Sequence, residues 1–357
     1  MSWLVAAGRI GAAAPAWRTF DVTTHVELPP STNPVRLWLP LAYAGQPDCQ
    51  RVIQQRWKGN AKTLRAIRDD RTRTGILFAE WLEGDARPEV DLTLTVATRD
   101  RAVDWSDRTV RGESRAALGR YLQPSRLMPL DGIVLETARR ITQRESDEVG
   151  KARAIYEWIV ENTTRDPQVR GCGLGDVRAM LETGNLRGKC ADLNALFVAL
   201  ARAVGVPARD LYGVRVAKSQ TFESLGAAGD VTRAQHCRAE FHSPRHGWIP
   251  VDPADVRKVL LEERPGLDLL SPEVQYARRR LFGSWEMNWM AFNDARDVVL
   301  PHSTGPALPF LMYPQAEIGG RRLDSLDPAA FRYRVTARES EPAFQPEARL
   351  QRQNGVW

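Results

Sequence analysis

No pair of cysteines in this chain has the spacing of a metal site or a redox motif. The four cysteines, Cys49, Cys172, Cys190 and Cys237, are scattered over 357 residues. They are too few for a disulfide framework, and no Cys-x-x-Cys pair marks a zinc site. No apolar run approaches the roughly 20 residues needed to cross a bilayer, which excludes a transmembrane helix. A glycine loop of the phosphate-cradling kind is also missing, as are internal repeats and low-complexity segments. Like charges never cluster in runs either. That absence decides how the formal charge of +6 is read. Arginines are interspersed with Asp and Glu, so the balance reflects an arginine-rich surface and not a nucleic-acid footprint. Neither a metal nor an organic cofactor is expected. What remains is a globular composition, 43% hydrophobic and 26% charged, long enough for two domains.

The first 16 residues are rich in Ala, Val, Leu and Gly, and Ala14-Pro15-Ala16 has the small-residue form of a signal-peptidase site. No basic region precedes the apolar part and Arg9 interrupts it. Residues 1–16 therefore read as a leader or signal remnant, with a periplasmic or exported location ahead of a cytoplasmic one. From residue 17 to 101 the pattern has period two: Phe20, Val22, Thr24, Val26; Val35, Leu37, Leu39; Ile76, Phe78; Val90, Leu92, Leu94, Val96. Turn residues at Pro29-Pro30, Gly59-Asn60 and Gly84-Asp85 separate these runs, which predicts an antiparallel β-sandwich. His25 lies in mid-strand and is expected to be structural. Residues 102–131 read as a connecting segment without regular structure.

Helical spacing begins after residue 132. Val134, Ala138 and Ile141 share a face, and Ser146-Asp147-Glu148 caps a second helix carrying Ala152, Ile155, Tyr156 and Ile159. Asp176 is expected to cap a short helix that ends at Gly184. Next comes a helix headed by Cys190, with Leu193, Leu196, Phe197, Leu200 and Val204 on one apolar face and Gly205 and Pro207 as its stop. A thiol at a helix N-terminus feels the positive end of the dipole and the unpaired N–H groups, both of which favour the thiolate. His236 opens a strand, Asp252 closes the following one, and the turn between them makes a hairpin. Adjacent strands lie about 4.8 Å apart, so the hairpin brings imidazole and carboxylate within hydrogen-bond reach. Thiol, imidazole and carboxylate are the groups nucleophilic cysteine chemistry needs. Ser271-Pro272 starts a later helix, weak strands follow between residues 285 and 335, and the tail beyond Thr336 is expected to be loose.

These segments resemble the transglutaminase-like superfamily. The resemblance lies in Gly188-Lys189-Cys190-Ala191-Asp192, in Gly205-Val206-Pro207-Ala208-Arg209 after the helix, in His236-Cys237-Arg238-Ala239-Glu240-Phe241, and in Gly247-Trp248-Ile249-Pro250-Val251-Asp252-Pro253. It covers about residues 149–253 and implies an α+β fold: a papain-like core over 132–300, preceded by the N-terminal β-sandwich, with accessory strands and a polar tail over 301–357. Cys190 would be the nucleophile, His236 the base and Asp252 the orienting acid. Cys237 and Arg238 stand where that family has small and aromatic residues. No tryptophan lies between Thr163 and Lys189 to complete an oxyanion hole, leaving Asn185 or Gln168 as second donors beside the Cys190 N–H.

The implied chemistry is acyl transfer through a thioester on a protein or peptide substrate, with hydrolysis ahead of amine transfer. A non-catalytic module binding a cell-envelope partner is the rival from outside enzymes. Several neighbours are given structural roles: Cys237 as packing on the opposite strand face, His242 and His246 as exposed, and Asp192 as an electrostatic aid to the helix N-terminus. Cys172 is a redox partner of Cys190, a pocket-lining residue or an idle loop thiol.

Overall fold

Why the chain's first hundred residues alternate becomes clear when the two faces of each strand are followed in a computed structural model. It describes residues 16–69, 71–82, 87–107 and 113–341. The leader and the turn at Gly84-Asp85 lie outside these. Phe20, Val22 and Val26 of strand Arg18–Glu27 and Val90, Leu92, Leu94 and Val96 of strand Glu89–Thr98 all point into one core. Opposite them stand Val35, Leu37 and Leu39 of strand Val35–Pro40, with Leu77, Ala79 and Trp81 of strand Gly75–Trp81. Two five-stranded antiparallel sheets thus face one another, as period-two patterning requires.

Neither sheet is completed by N-terminal residues alone. Strand Arg332–Ser340 pairs along the whole of Arg18–Glu27, from Thr19 opposite Ser340 to Glu27 opposite Arg332. Strand Gln315–Ile318 pairs with Val35–Pro40 in the second sheet. The expectation of a loose tail beyond Thr336 is therefore corrected as far as Ser340: Val335 and Ala337 are buried and supply the missing inner face. The connecting segment is also more regular than expected. Ser114 caps a short helix, Arg115–Gly119, and Arg101–Ala102 pairs with Ser284–Trp285.

A four-stranded antiparallel sheet forms the heart of the second half, in the order Gly247–Val251, Gln235–Ser243, Ala208–Arg215, Trp289–Asn293. Helix Cys190–Ala203 lies against its two middle strands, with helices Gly132–Thr142, Glu148–Asn162 and Pro253–Glu262 on its other sides. The helix is consequently not apolar on one face only. Every residue from Cys190 to Ala201 is buried, which is why so many of them are alanine: small side chains let helix and sheet approach closely. Each large apolar residue buried there contributes about 1.5–3 kcal/mol, so the helix that carries Cys190 is also the spine of the core. Gly205, at φ +80°, ends it in the left-handed region.

Among the described residues, no helix is long and apolar enough to cross a membrane.

Candidate active site

Helix and sheet meet so that Cys190, His236 and Asp252 come together on the wall of one cavity or directly behind it. Cys190 is the first residue of its helix and is 4% exposed; His236 is 4% exposed and Asp252 is fully buried. His236 Nε2 lies 2.7 Å from Asp252 Oδ2, and His236 and Cys190 line the same cavity. Asp252 does not simply end a strand. It caps helix Pro253–Glu262, with Oδ1 accepting the Asp255 N–H at 3.1 Å. That fixes the carboxylate whose other oxygen holds the imidazole.

Four further residues complete the arrangement. Asn194 sits one helical turn beyond Cys190, and its Nδ2 donates to the Cys237 carbonyl at 2.8 Å and to Asp252 Oδ1 at 3.2 Å. Asp255 places Oδ2 3.3 Å from His236 Nε2, and Oδ1 accepts from Arg215 Nη2 at 2.7 Å. Arg238 lies against the rings of both Trp285 and Trp289, with Nε 3.7 Å from Asp252 Oδ2. Trp289 Nε1 holds the His236 carbonyl at 3.0 Å. Sequence reasoning gave none of the four a catalytic part, although Arg238 stood out there as a departure beside His236. Spacing could have found two: Asn194 is four residues after Cys190 and Asp255 three after Asp252, each on the same helix face as its partner.

Electrostatics favour an ion pair. The Cys190 thiol is drawn well below its ordinary value by hydrogen bonds from Cys172 first, then Cys237, with His236 adding to them against the cost of burial. For His236, burial and the nearby Arg215 charge oppose protonation, but Asp255 and Asp252 outweigh them and raise it to about 9. The folded state thus holds this proton more tightly than the unfolded chain. The stability it contributes is complete below the unfolded value, about 6.5, and disappears as pH rises through about 9. Arg215 holds Asp255 well below the carboxylate range against the penalty of burial. Burial and the Asp255 charge raise Asp252.

Three sulfurs crowd this point. Those of Cys172, Cys190 and Cys237 lie within 4.8 Å of one another. Of the three readings of Cys172, the pocket-lining one matches its position: it is buried and lines two adjoining clefts. Cys237 is buried packing beside Met312, yet it is not remote from the nucleophile. Strand alternation had assigned it the far face, but the helix lies across the opening of the strand and meets neighbouring residues there. The three sulfurs, like the His236–Asp252–Asp255 group, are of metal-ligating type. Replacing Cys172 with alanine removes a thiol within 4.8 Å of the Cys190 sulfur that helps to hold it low. The iodoacetamide reaction of Cys190 is then expected to shift to higher pH by about one unit, equivalent to one modest hydrogen bond. An unmoved alkylation profile, measured by peptide mass spectrometry, would contradict this.

Asp192 does more than favour a helix end. Its Oδ1 accepts the N–H groups of Leu174 at 3.0 Å and Gly175 at 2.9 Å, and Oδ2 that of Lys189 at 3.0 Å. It therefore latches the Cys172 loop onto the start of the helix, and the Ala191 N–H to Cys172 carbonyl bond of 2.9 Å seconds it. Gly173 is required in that loop. Its φ is +91°, and a β-carbon there would lie 1.8 Å from Asp192 Oδ2. The other sequence candidates are not brought to the sulfur. Gln168 and Asn185 are exposed on loops, and neither lines the cavity at Cys190; Asn185 lines the neighbouring cleft. His242 proves buried against Trp248, not exposed, because its strand is central in a sheet covered on both faces. His246 is half-buried beside Trp105. His25 is structural, with Nδ1 2.7 Å from Asp91 on the neighbouring strand.

A helix-borne thiol, an antiparallel hairpin bearing imidazole and carboxylate, and a buried polar shell behind them define a papain-like arrangement. The sequence profile of the Transglutaminase-like superfamily matches residues 135–253, which span all three groups. The chain belongs to that superfamily. An uncharacterized protein of Haemophilus influenzae is 35% identical over 338 residues, covering 88% of each chain. Among solved structures, the chain is similar to a candidate cysteine protease from Cytophaga hutchinsonii, with a TM-score of 0.55, 15% identity and 93% of each chain covered. A lesser likeness is to the periplasmic domain of TgpA from Pseudomonas aeruginosa. There the TM-score is 0.36 and the identity 16%, over 71% of this chain and 96% of that one.

Proposed function

We propose that the chain is a cysteine hydrolase that cleaves peptide or carboxamide bonds through a thioester on Cys190. The observation that carries this is the buried Cys190–His236–Asp252 chain opening on a cavity of about 480 Å³. In this reading the Cys190 thiolate adds to the carbonyl carbon, and the oxygen takes the negative charge near the Cys190 N–H at the head of the helix. The His236 imidazolium gives its proton to the departing nitrogen, which leaves as ammonia or an amine. The neutral ring then takes a proton from water as that water attacks the thioester, and the thiolate is released. Asp252 holds the ring throughout, Asp255 sustains its charge, and Asn194 and Arg238 position Asp252.

Hydrolysis is preferred over transfer to a lysine amine for a reason of charge. An ammonium approaching the sulfur would pass Lys189 and Lys258 in the cavity wall, and like charges there raise the cost of entry. Incubation with a small glutamine amide and a labelled primary amine tests both parts. The expected result is release of ammonia with a thioester on Cys190 detectable after acid quench, and little label in the product. Label incorporation exceeding hydrolysis would overturn the preference; no acylation of Cys190 by any amide, ester or peptide would overturn the mechanism.

The pH profile follows from the same ion pair. kcat/KM is expected to rise on the acid side as Cys190 ionises, well below the ordinary thiol range, and to fall on the alkaline side through about 9 as His236 loses its proton. An alkaline limb at pH 7 or below would exclude His236 as the group that protonates the leaving nitrogen.

A further inference from the structure

The cavity that exposes the Cys190 sulfur has an unbalanced wall. Seven cationic side chains line it, Arg165, Arg170, Lys189, Arg215, Lys258 together with Arg233 and Arg332, and no Asp or Glu does. Some of that charge is neutralised from behind. Arg215 is bound to Asp255, Arg170 to Asp324 at 2.6 Å, and Arg165 to Glu262. Lys258 reaches only the same Glu262, at 3.7 Å, so one carboxylate serves two cations. Burial together with the Arg215 charge also depresses the Lys258 ammonium, as expected where positive charge is in excess. Lys189 has the Asp166 carboxylate near it, whereas Arg233 and Arg332 form no ion pair among the described residues and are exposed at the cavity rim, Arg332 with Glu27 opposite it on the neighbouring strand. The imidazolium and the thiolate cancel each other and do not relieve the excess.

The cations not neutralised in full come from separate parts of the chain. Lys189 precedes the nucleophile, Lys258 lies on the helix capped by Asp252, Arg233 immediately precedes the His236 strand, and Arg332 begins the C-terminal strand. Only the tertiary fold gathers them around one sulfur. A solvated basic surface would scatter such residues among acidic ones, as the rest of the chain does.

From this we infer that the acyl substrate is anionic: a peptide or isopeptide chain carrying carboxylates within a few residues of the bond attacked. Lys189 and Lys258 are placed to meet a carboxylate next to the reacting carbonyl, and Arg233 and Arg332 to meet those further out, where planar guanidinium groups bind carboxylates in bidentate fashion. The fate of the bound chain rests on the hydrolase reading, but its recognition does not. A thiolate with an imidazolium acts on acyl carbon, which favours a peptide over a nucleic acid as the source of negative charge.

Binding to the full-length Cys190→Ala protein tests the inference without requiring turnover. The probes are fluorescein-labelled hexaglutamate and hexaglutamine, compared by polarisation. Hexaglutamate is expected to bind about tenfold or more tightly at low salt, with the difference largely lost at 0.5 M salt. The R233Q/R332Q double substitution, at two exposed positions, should narrow that preference without lowering the thermal midpoint. Equal affinity for the two peptides, absence of binding by both, or a preference that survives high salt would overturn the inference. So would a labelled oligonucleotide of equal charge that binds more tightly than hexaglutamate. If hexaglutamate binds as expected but the wild-type sulfur is never acylated, the hydrolase reading fails and the anionic site stands.

Discussion

Replacing Cys190 with alanine is expected to lower turnover of any amide or peptide substrate by on the order of 10⁴–10⁶-fold, the range seen when a covalent nucleophile is removed from a preorganised triad. The thermal midpoint should hardly move. Cys190 is the first residue of its helix, with its side chain at the cavity wall, and alanine is the best helix former. The latch that fixes this end does not involve the sulfur: Asp192 holds Lys189, Leu174 and Gly175, and Ala191 holds Cys172. Steady-state kinetics with calorimetry on the same preparation check both halves. Retention of more than a hundredth of the activity would mean that another group, with Cys172 the nearest candidate, attacks the carbonyl.

Changing Asp255 to asparagine should damage both stability and the pH profile. Asp255 is fully buried between Arg215 and His236. The amide cannot balance the guanidinium, and leaving one member of a buried ion pair uncompensated costs about 3–5 kcal/mol. It also withdraws a charge that raises His236. The alkaline limb of kcat/KM should therefore move down from about 9, whereas a residue important only for packing would leave it in place. The double variant Arg215→Met/Asp255→Leu separates the two effects. Stability should recover, because neither charge is left alone, while the limb stays low. A limb that remains near 9 in both variants would remove Asp255 from the proton chemistry.

Much of the fold and site was legible because the relevant signals are local. Alternation in Phe20, Val22 and Val26 reports a strand with one buried face. Asp147, Asp176 and Ser271 sit at the helix starts expected of them, since a cap is a contact between residues two or three apart. The motifs around Cys190, His236 and Asp252 likewise carry their meaning within a few residues, and the structure brings those three together. Features that depend on chain segments far apart were not legible. Pairing of Arg332–Ser340 with Arg18–Glu27 joins residues some three hundred positions apart, and a polar-looking tail contains no sign of it. Asp192 looks like a helix-end charge until its partners at Leu174 and Gly175 are seen. His242 looks like a turn residue until Trp248 covers it.

The sequence by itself determined the superfamily and the residues proposed for its chemistry, because a thiol at a helix start, an imidazole and a carboxylate on one hairpin can be recognised from spacing and side-chain type. Only the tertiary structure decided the electrostatics in which that chemistry would operate. The second carboxylate on His236, the arginine that keeps it charged, the three crowded sulfurs and the cationic cavity wall are each assembled from distant segments. Coulomb interactions depend on distance through space and on burial, and neither can be read from positions along a chain.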